Sequence, residues 1–146
     1  MIIFCEGAVV KGNQLGRTLG YPTANLQLTD NEKLIPANGV YAVTVSFPAE
    51  NGEGKEIQAA GTKKENMFGQ LKGMMNIGVR PTVNGLSRVI EVNIFDFNAD
   101  IYGETISVTL KQWLRAEQKF SGLDALKEQL AKDKLASLHA LSTIIT

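Results

Sequence analysis

The chain has 146 residues, enough for one domain with a sizeable core, and its 15 Lys and Arg balance its 15 Asp and Glu. A formal net charge of zero argues against a basic nucleic-acid-binding surface. One cysteine (Cys5) and one histidine (His139) exclude an internal disulfide framework and a Cys/His zinc cluster. The chain has no apolar run of about 20 residues and no signal-peptide pattern at its start, which predicts a cytoplasmic protein without a membrane partner.

Short β-rich segments alternate with turns along most of the chain, in which 14 residues are glycine. Alternation of apolar and polar residues predicts strands, certain or candidate, at 3–11, 39–47, 56–61, 71–78, 88–97 and 105–112. Segments without a clear period are predicted as loops or irregular chain: 12–25, 26–38, 79–87 and 98–104, with 49–72 as an exposed excursion.

The pattern changes near the end of the chain, where leucines recur at helical spacing and predict one amphipathic helix over about 121–138. Strands followed by a single terminal helix favour a β-barrel or sandwich with the helix packed outside. Frequent turns between short strands favour a closed antiparallel sheet. We therefore predict a single domain over 1–146, with the barrel at about 3–112.

The glycine-rich stretch 12–25, GNQLGRTLGYPTAN, is a candidate phosphate site. Glycines allow backbone N–H groups to approach an anion, and the Arg17 guanidinium suits phosphate. Thr23 and Asn25 lie two residues apart, so an extended chain points both side chains the same way. Their neutral oxygens suit a Mg²⁺ ion that phosphates also hold. The alternative is a turn with a Thr or Asn cap, which is the more common use of such residues.

Two further features leave alternatives open. Glu91 lies in the middle of a predicted strand and faces either solvent or a cavity, where it would accept a proton from a hydroxyl group. In WLRAEQKF, residues 113–120, the side chains of Trp113, Arg115 and Phe120 either clamp a flat heterocycle or pack the helix against the barrel. Taken alone, the packing role is the more common one.

Six segments occur in a characteristic order: GRTLGYPTANL, GVYAV, MNIGVRPTVNG, VIEVNIFDF, DIYGE and LRAEQKF. From Gly7 to about Asp133 the chain resembles the riboflavin kinase family, including the kinase module of bacterial bifunctional riboflavin kinase/FAD synthetases. The resemblance implies a six-stranded antiparallel Greek-key β-barrel with one C-terminal helix. It also implies transfer of the γ-phosphate of ATP to the 5′-hydroxyl of riboflavin, which gives FMN and ADP.

The resemblance also implies roles for individual residues. Glu91 would be the general base, and Thr23 and Asn25 would hold Mg²⁺. The residues expected to contact ATP or its phosphates are Gly12, Arg17, Gly20, Thr23, Asn25, Ile94 and Tyr102. The loop that closes over the flavin would contain Arg115, Gln118 and Phe120. We expect these groups to meet at the mouth of the barrel. Asn93 stands where many members of the family have histidine.

Other functions are weighed against this one. A flavin-binding module without catalytic activity is the first alternative, and the intact PTAN segment and Glu91 argue against it. A nucleic-acid-binding barrel is disfavoured by the neutral charge and the lack of a basic stripe. We expect a monomer that is either a kinase alone or the kinase part of a bifunctional enzyme, preceded by an FMN adenylyltransferase domain.

Overall fold

The computed structural model describes residues 3–10, 20–21, 23–28, 36–47, 70–83, 85–97 and 101–143. These residues form six strands and one helix. The strands are β1 (Ile3–Val10), β2 (Ala24–Leu28), β3 (Gly39–Ser46), β4 (Leu71–Thr82), β5 (Gly85–Ile94) and β6 (Thr105–Arg115), and the helix is α1 (Leu123–Thr143).

The six strands close into an antiparallel barrel in the order β1-β2-β5-β4-β3-β6, and β6 pairs back onto β1. β3, β4 and β5 follow one another as hairpin neighbours, and β6 returns to lie beside β3. This order is a Greek key. The predicted fold class is therefore confirmed.

Strand alternation fills the barrel with apolar side chains, as the period of two in the sequence predicts. The apolar faces of β3, β5 and β6 point into the barrel, and their buried members include Tyr41, Val43, Val45, Ile90, Val92, Ile94, Ile106 and Val108. Met75 and Ile77 of β4 join them without measurable exposure. The opposite side chains of the same strands are consequently free to build a second surface outside the barrel.

Two predicted loops are strands in the structure. β2 spans the end of the predicted loop 12–25 and the start of the segment 26–38, predicted as irregular. Its five residues are too few to show a period, and it pairs with both β1 and β5. The segment 79–87 is largely the tip of the β4–β5 hairpin, which stays paired from Gly73–Ile94 to Thr82–Gly85. Most described residues at this tip are exposed on both faces, so no apolar alternation marks them. The candidate strand 56–61 and residues 49–69 of the predicted excursion lie outside the described residues.

Helix α1 packs on the outside of the barrel, against β3, β4 and β6, as predicted. Ala140 and Leu141 near its end are buried against Ala42 of β3, with Leu114 of β6 beside them. The helix runs five residues further than the predicted end at 138. Within the described part of the chain, no helix has the length and hydropathy needed to cross a membrane.

Candidate active site

A row of three polar side chains crosses the outer wall of the barrel. Glu91 of β5 is paired with Asn25 of β2 on one side and with Asn76 of β4 on the other. Directly paired residues project from the same face of a sheet, with their Cβ atoms about 4.5–5.5 Å apart. Because Ile90 and Val92 point into the core, the row faces outward.

A cavity of about 260 Å³ lies over this row, between the barrel wall, the start of α1 and the chain that joins β6 to α1. Its lining combines carboxylates, guanidinium groups and apolar side chains: Tyr21, Thr23, Val40, Met74, Met75, Asn76, Arg80, Glu91, Asn93, Arg115, Glu117, Gln118, Phe120, Leu126, Leu130 and Asp133. Glu91 does not lie at the barrel mouth, where we expected the predicted groups to meet. It occupies an outward position in mid-strand, and the cavity that it lines is on the side of the barrel, beneath the helix.

The Glu91 carboxylate faces this cavity, which decides between the two alternatives left open by the sequence. Its side chain is 20% exposed. Burial raises the pKa of Glu91 above its ordinary value of 4.5; the positive charge of Arg80 opposes this shift, and the negative charge of Glu117 adds to it. A carboxyl group tuned in this direction is a stronger base once it is ionised.

Arg80 stands between two carboxylates in the cavity. Its Nη1 donates a hydrogen bond of 2.6 Å to Oε1 of Glu117, and its Nη2 lies 3.4 Å from Oε1 of Glu91. The Nδ2 atom of Asn76 lies 3.5 Å from the same Glu117 oxygen. Arg80 therefore makes a short ion pair with Glu117 and a long one with Glu91, so the Glu91 carboxylate keeps capacity to accept a further hydrogen bond.

The far side of the cavity is held by an ion pair between β6 and α1. Arg115 donates two hydrogen bonds to Asp133, from Nε at 2.9 Å and from Nη2 at 2.7 Å, and Gln129 donates a third at 3.0 Å. The side chain of Asp133 is only 4% exposed. Two parallel bonds of this kind hold a guanidinium group in one orientation.

Both alternatives for the WLRAEQKF segment find support. Arg115 joins β6 to the helix, which is the packing role, yet it also lies 5.8 Å from the centre of the Phe120 ring and lines the cavity. Trp113 is 51% exposed and is not among the cavity-lining residues. The aromatic part of a clamp would therefore come from Phe120 and not from Trp113.

Two buried polar atoms in the cavity lack partners. Thr23 Oγ1 and Asn76 Oδ1 make no hydrogen bond within the part of the chain that the structure describes. Orphaned buried oxygens are costly unless a ligand or water satisfies them. Both residues line the cavity together with Glu91, whereas Thr44 and Ser137, which also have buried hydroxyl groups unpartnered among the described residues, do not line it.

The remaining predicted residues lie elsewhere or beyond description. The Ile94 side chain belongs to the barrel core, and Tyr102 packs against that core. Tyr102 is near the end of β1, since the N–H of the adjacent Gly103 donates to the Val9 carbonyl at 2.9 Å. Ile94 is two residues beyond Val92, which pairs with Ala24 at the start of β2. Gly20 is exposed, with a positive φ of 88° that favours glycine. Gly12 and Arg17 lie outside the described residues.

Sequence reasoning from the side chains did not find Asn76, Arg80 or Glu117. All three lie within segments that carry the family resemblance, MNIGVRPTVNG and LRAEQKF, which is the signal that could have identified them. Their meeting depends on pairing across the sheet and on contacts between residues up to 41 positions apart. Side-chain pattern within one segment does not contain that information.

Comparison with known proteins agrees with this architecture. A family model for riboflavin kinase matches residues 2–141. The bifunctional riboflavin kinase/FMN adenylyltransferase of Escherichia coli (strain K12) is 41% identical over 132 residues, which cover 90% of this chain and 36% of that protein. The chain thus spans about a third of the length of this relative.

Two solved structures share the fold. A riboflavin kinase from Trypanosoma brucei superposes with a TM-score of 0.65 at 28% identity, over 98% of this chain and 82% of that one. A Streptococcus pneumoniae protein, named as a macrolide-efflux protein, gives a TM-score of 0.73 at 38% identity, over 92% of this chain and 38% of its own length. Together with the family match over almost the whole length, these likenesses confirm the resemblance drawn from the sequence motifs. The chain belongs to the riboflavin kinase family.

Proposed function

We propose that this chain transfers the γ-phosphate of ATP to the 5′-hydroxyl of riboflavin, giving FMN and ADP. Membership of the riboflavin kinase family supports the reaction class. The observation that carries the proposal is the placement of Glu91, a largely buried carboxylate with a raised pKa, in one cavity with Thr23 and directly opposite Asn25. A base and neutral oxygen ligands side by side are what phosphoryl transfer to a hydroxyl group requires.

Glu91 is proposed as the general base. As the riboflavin oxygen bonds to the γ-phosphorus and the bond from that phosphorus to ADP breaks, the hydroxyl proton passes to the Glu91 carboxylate. The long 3.4 Å contact with Arg80 leaves the carboxylate able to receive that proton. Positioning of the hydroxyl next to this base supplies much of the expected acceleration.

Thr23 and Asn25 are the proposed residues for Mg²⁺. The orphaned Thr23 Oγ1, buried at the cavity wall, fits a cation ligand, and an amide oxygen two residues later in extended chain is a suitable second one. When bound with ATP, Mg²⁺ would neutralise negative charge on the transferred phosphate. We assign contacts with ATP and its phosphates to Gly12, Arg17 and Gly20 of the glycine-rich segment and to Ile94 and Tyr102.

The flavin is proposed to bind beneath the helix, where the cavity is most apolar. Phe120, Leu126, Leu130 and Met74 offer a surface for a flat ring system, and Gln118 and Arg115 add polar contacts. Because Asp133 holds Arg115 by two hydrogen bonds, the guanidinium group is oriented before the ligand arrives. Exclusion of water by this surface would protect ATP from hydrolysis.

The wider context is also a proposal. We infer that the chain is a kinase module of the kind found beside an FMN adenylyltransferase domain, since the E. coli relative is named for both activities. A monomer in the cytoplasm is the expected state, and the single, buried Cys5 is consistent with a reducing compartment.

The test is FMN formation from riboflavin and Mg-ATP, followed by chromatography of the flavins. We expect stoichiometric FMN and ADP. Flavin fluorescence titrated with and without Mg-ADP then separates this function from a flavin-binding module, because an enzyme couples its two ligands. Flavin binding without FMN formation would favour the module and contradict the proposal.

A further inference from the structure

The ion pair between Arg80 and Glu117 joins the barrel to the 116–120 loop, which is the segment between β6 and α1. The Glu117 carboxylate receives a 2.6 Å hydrogen bond from Arg80 and a weaker 3.5 Å one from Asn76. Asn76 and Arg80 are four residues apart on β4, so they project from the same face of the strand. The carboxylate of Glu117 in the loop is thus bound by two side chains of one strand in the barrel wall.

Gly78 lies between these two residues on the same face of β4 and completes a seat for the carboxylate. A Cβ atom at position 78 would overlap the Glu117 carboxylate and would also crowd the Arg80 guanidinium group. Glycine leaves open the space that the carboxylate fills. We call Asn76, Gly78 and Arg80 the β4 seat.

The residue that precedes the loop is anchored to a different element. Arg115, which directly precedes the loop, is bound to Asp133 of α1 through two hydrogen bonds. Glu117 then ties the loop to the barrel, and Gln118 and Phe120, the loop residues that follow, line the cavity. The residue held in the seat is thus followed in the chain by two residues that share a cavity with Glu91.

We propose that Arg80 is a positioning residue: it holds Glu117 in the β4 seat and so holds the 116–120 loop over the Glu91 cavity. The inference rests on the proposed function for its effect on riboflavin, while the effect on the loop itself needs no substrate. Because the loop carries cavity-lining side chains, loosening it should weaken riboflavin binding more than it slows the chemical step.

The test compares Arg80→Met, Glu117→Gln and the double variant with the wild-type chain. Glu128→Gln and Lys132→Met, at exposed positions of α1, are matched controls with the same changes of charge. In ligand-free protein, hydrogen exchange of the 116–120 amides should accelerate about tenfold in both single variants, with the α1 amides unaffected. The KM for riboflavin should rise about tenfold while kcat changes less than about threefold.

The double variant decides whether the two residues act through each other. If they do, its exchange rates and KM match those of the single variants, since the interaction is already lost in each. Gly78→Ala is an independent probe, because it keeps both charges and fills the seat; it should reproduce the faster exchange. Thermal unfolding within a few degrees of wild type confirms that each variant is folded.

Unchanged loop exchange in Arg80→Met and Glu117→Gln would overturn the proposal, whatever the activities. Multiplicative KM effects in the double variant would also overturn it, because they would mean that the residues act separately. A wild-type chain that makes no FMN would instead defeat the proposed function, and the exchange experiment would still decide whether the seat holds the loop.

Discussion

Glu91 and Asn25 lie directly opposite each other on β5 and β2, paired through the backbone of the sheet. Their spacing is consequently set by main-chain hydrogen bonds and does not depend on loop conformation. A proposed base and a proposed metal ligand are thereby held in one fixed relation. This relation makes the site testable by single substitutions that leave the barrel intact.

The first prediction concerns Glu91→Gln. Glutamine keeps the shape of the side chain but cannot accept the proton, so kcat should fall by about 10²–10⁴-fold with little change in the KM for riboflavin. Steady-state FMN formation measures this. Glu128→Gln on the exposed face of α1 is the matched control and should behave like wild type. Normal turnover by Glu91→Gln would show that Glu91 is not the base.

Thr23→Val should have opposite effects on activity and on stability. Valine removes a hydroxyl that is buried without a hydrogen-bond partner among the described residues, so the free energy of unfolding should stay equal or rise by up to about 1 kcal/mol. Loss of one ligand oxygen should raise the KM for Mg-ATP about tenfold. Urea unfolding and kinetics at varied Mg-ATP measure the two effects. An unchanged KM for Mg-ATP would contradict the metal assignment.

Asp133 should be important for stability. Asp133→Ala leaves the Arg115 guanidinium largely buried without its carboxylate partner, which should lower the free energy of unfolding by about 3 kcal/mol. The double variant Asp133→Leu with Arg115→Met should recover much of that loss in urea unfolding. It should not recover riboflavin affinity, because the oriented guanidinium group is gone. Full recovery of both would argue that Arg115 has no contact with the flavin.

The acid side of the pH–rate profile should report Glu91. Its pKa in the folded protein is raised above 4.5, mainly by burial, so kcat/KM for riboflavin should begin to fall at a pH higher than an ordinary glutamate would give. Among the charged groups of the cavity, Glu117 raises this pKa and Arg80 lowers it. Glu117→Gln should therefore move the acid limb to lower pH, and Arg80→Met should move it to higher pH. If the acid limb stays at the same pH in both variants, it does not report the titration of Glu91.

The same pKa shift fixes the sign of a stability effect. The folded state holds the Glu91 proton more tightly than the unfolded state does. The favourable contribution of Glu91 to the free energy of unfolding is therefore complete below the pKa of the unfolded state. It is lost as the pH rises through the pKa of the folded state. Glutamine does not ionise, so Glu91→Gln does not lose stability in this way when the pH rises. The variant should gain stability relative to wild type as pH rises from about 4 to 7, as measured by urea unfolding. A difference that does not vary with pH would contradict the assigned direction.

The sequence alone predicts the barrel, the external helix and the core because these depend on local alternation and on motif order. The inward faces of β3 and β5 follow directly from residue periods. β2 is not predicted because its five residues are held by pairing with β1 and β5 on its two sides, which the local sequence does not show. The strands at the hairpin tip are not predicted because most of their described residues are exposed, so no buried apolar face marks them in the sequence.

The candidate site is predicted in part for a similar reason. Thr23, Glu91 and Phe120 carry recognisable chemistry within short motifs, and the structure brings them into one cavity. Their spacing along the sequence does not predict on which side of the barrel they meet. The Arg80–Glu117 pair joins residues 37 positions apart, so only the folded chain reveals it.

Because the cavity lies against the outer wall of the barrel, adjacent residues of β5 have different roles. Ile90 and Val92 pack inside the barrel and maintain the fold, whereas Glu91 and Asn93 line the cavity proposed as the active site. A saturation scan along this strand should alternate residue by residue between melting-temperature defects and turnover defects. The proposed catalytic surface is therefore open to re-engineering without a change in the packing one residue away.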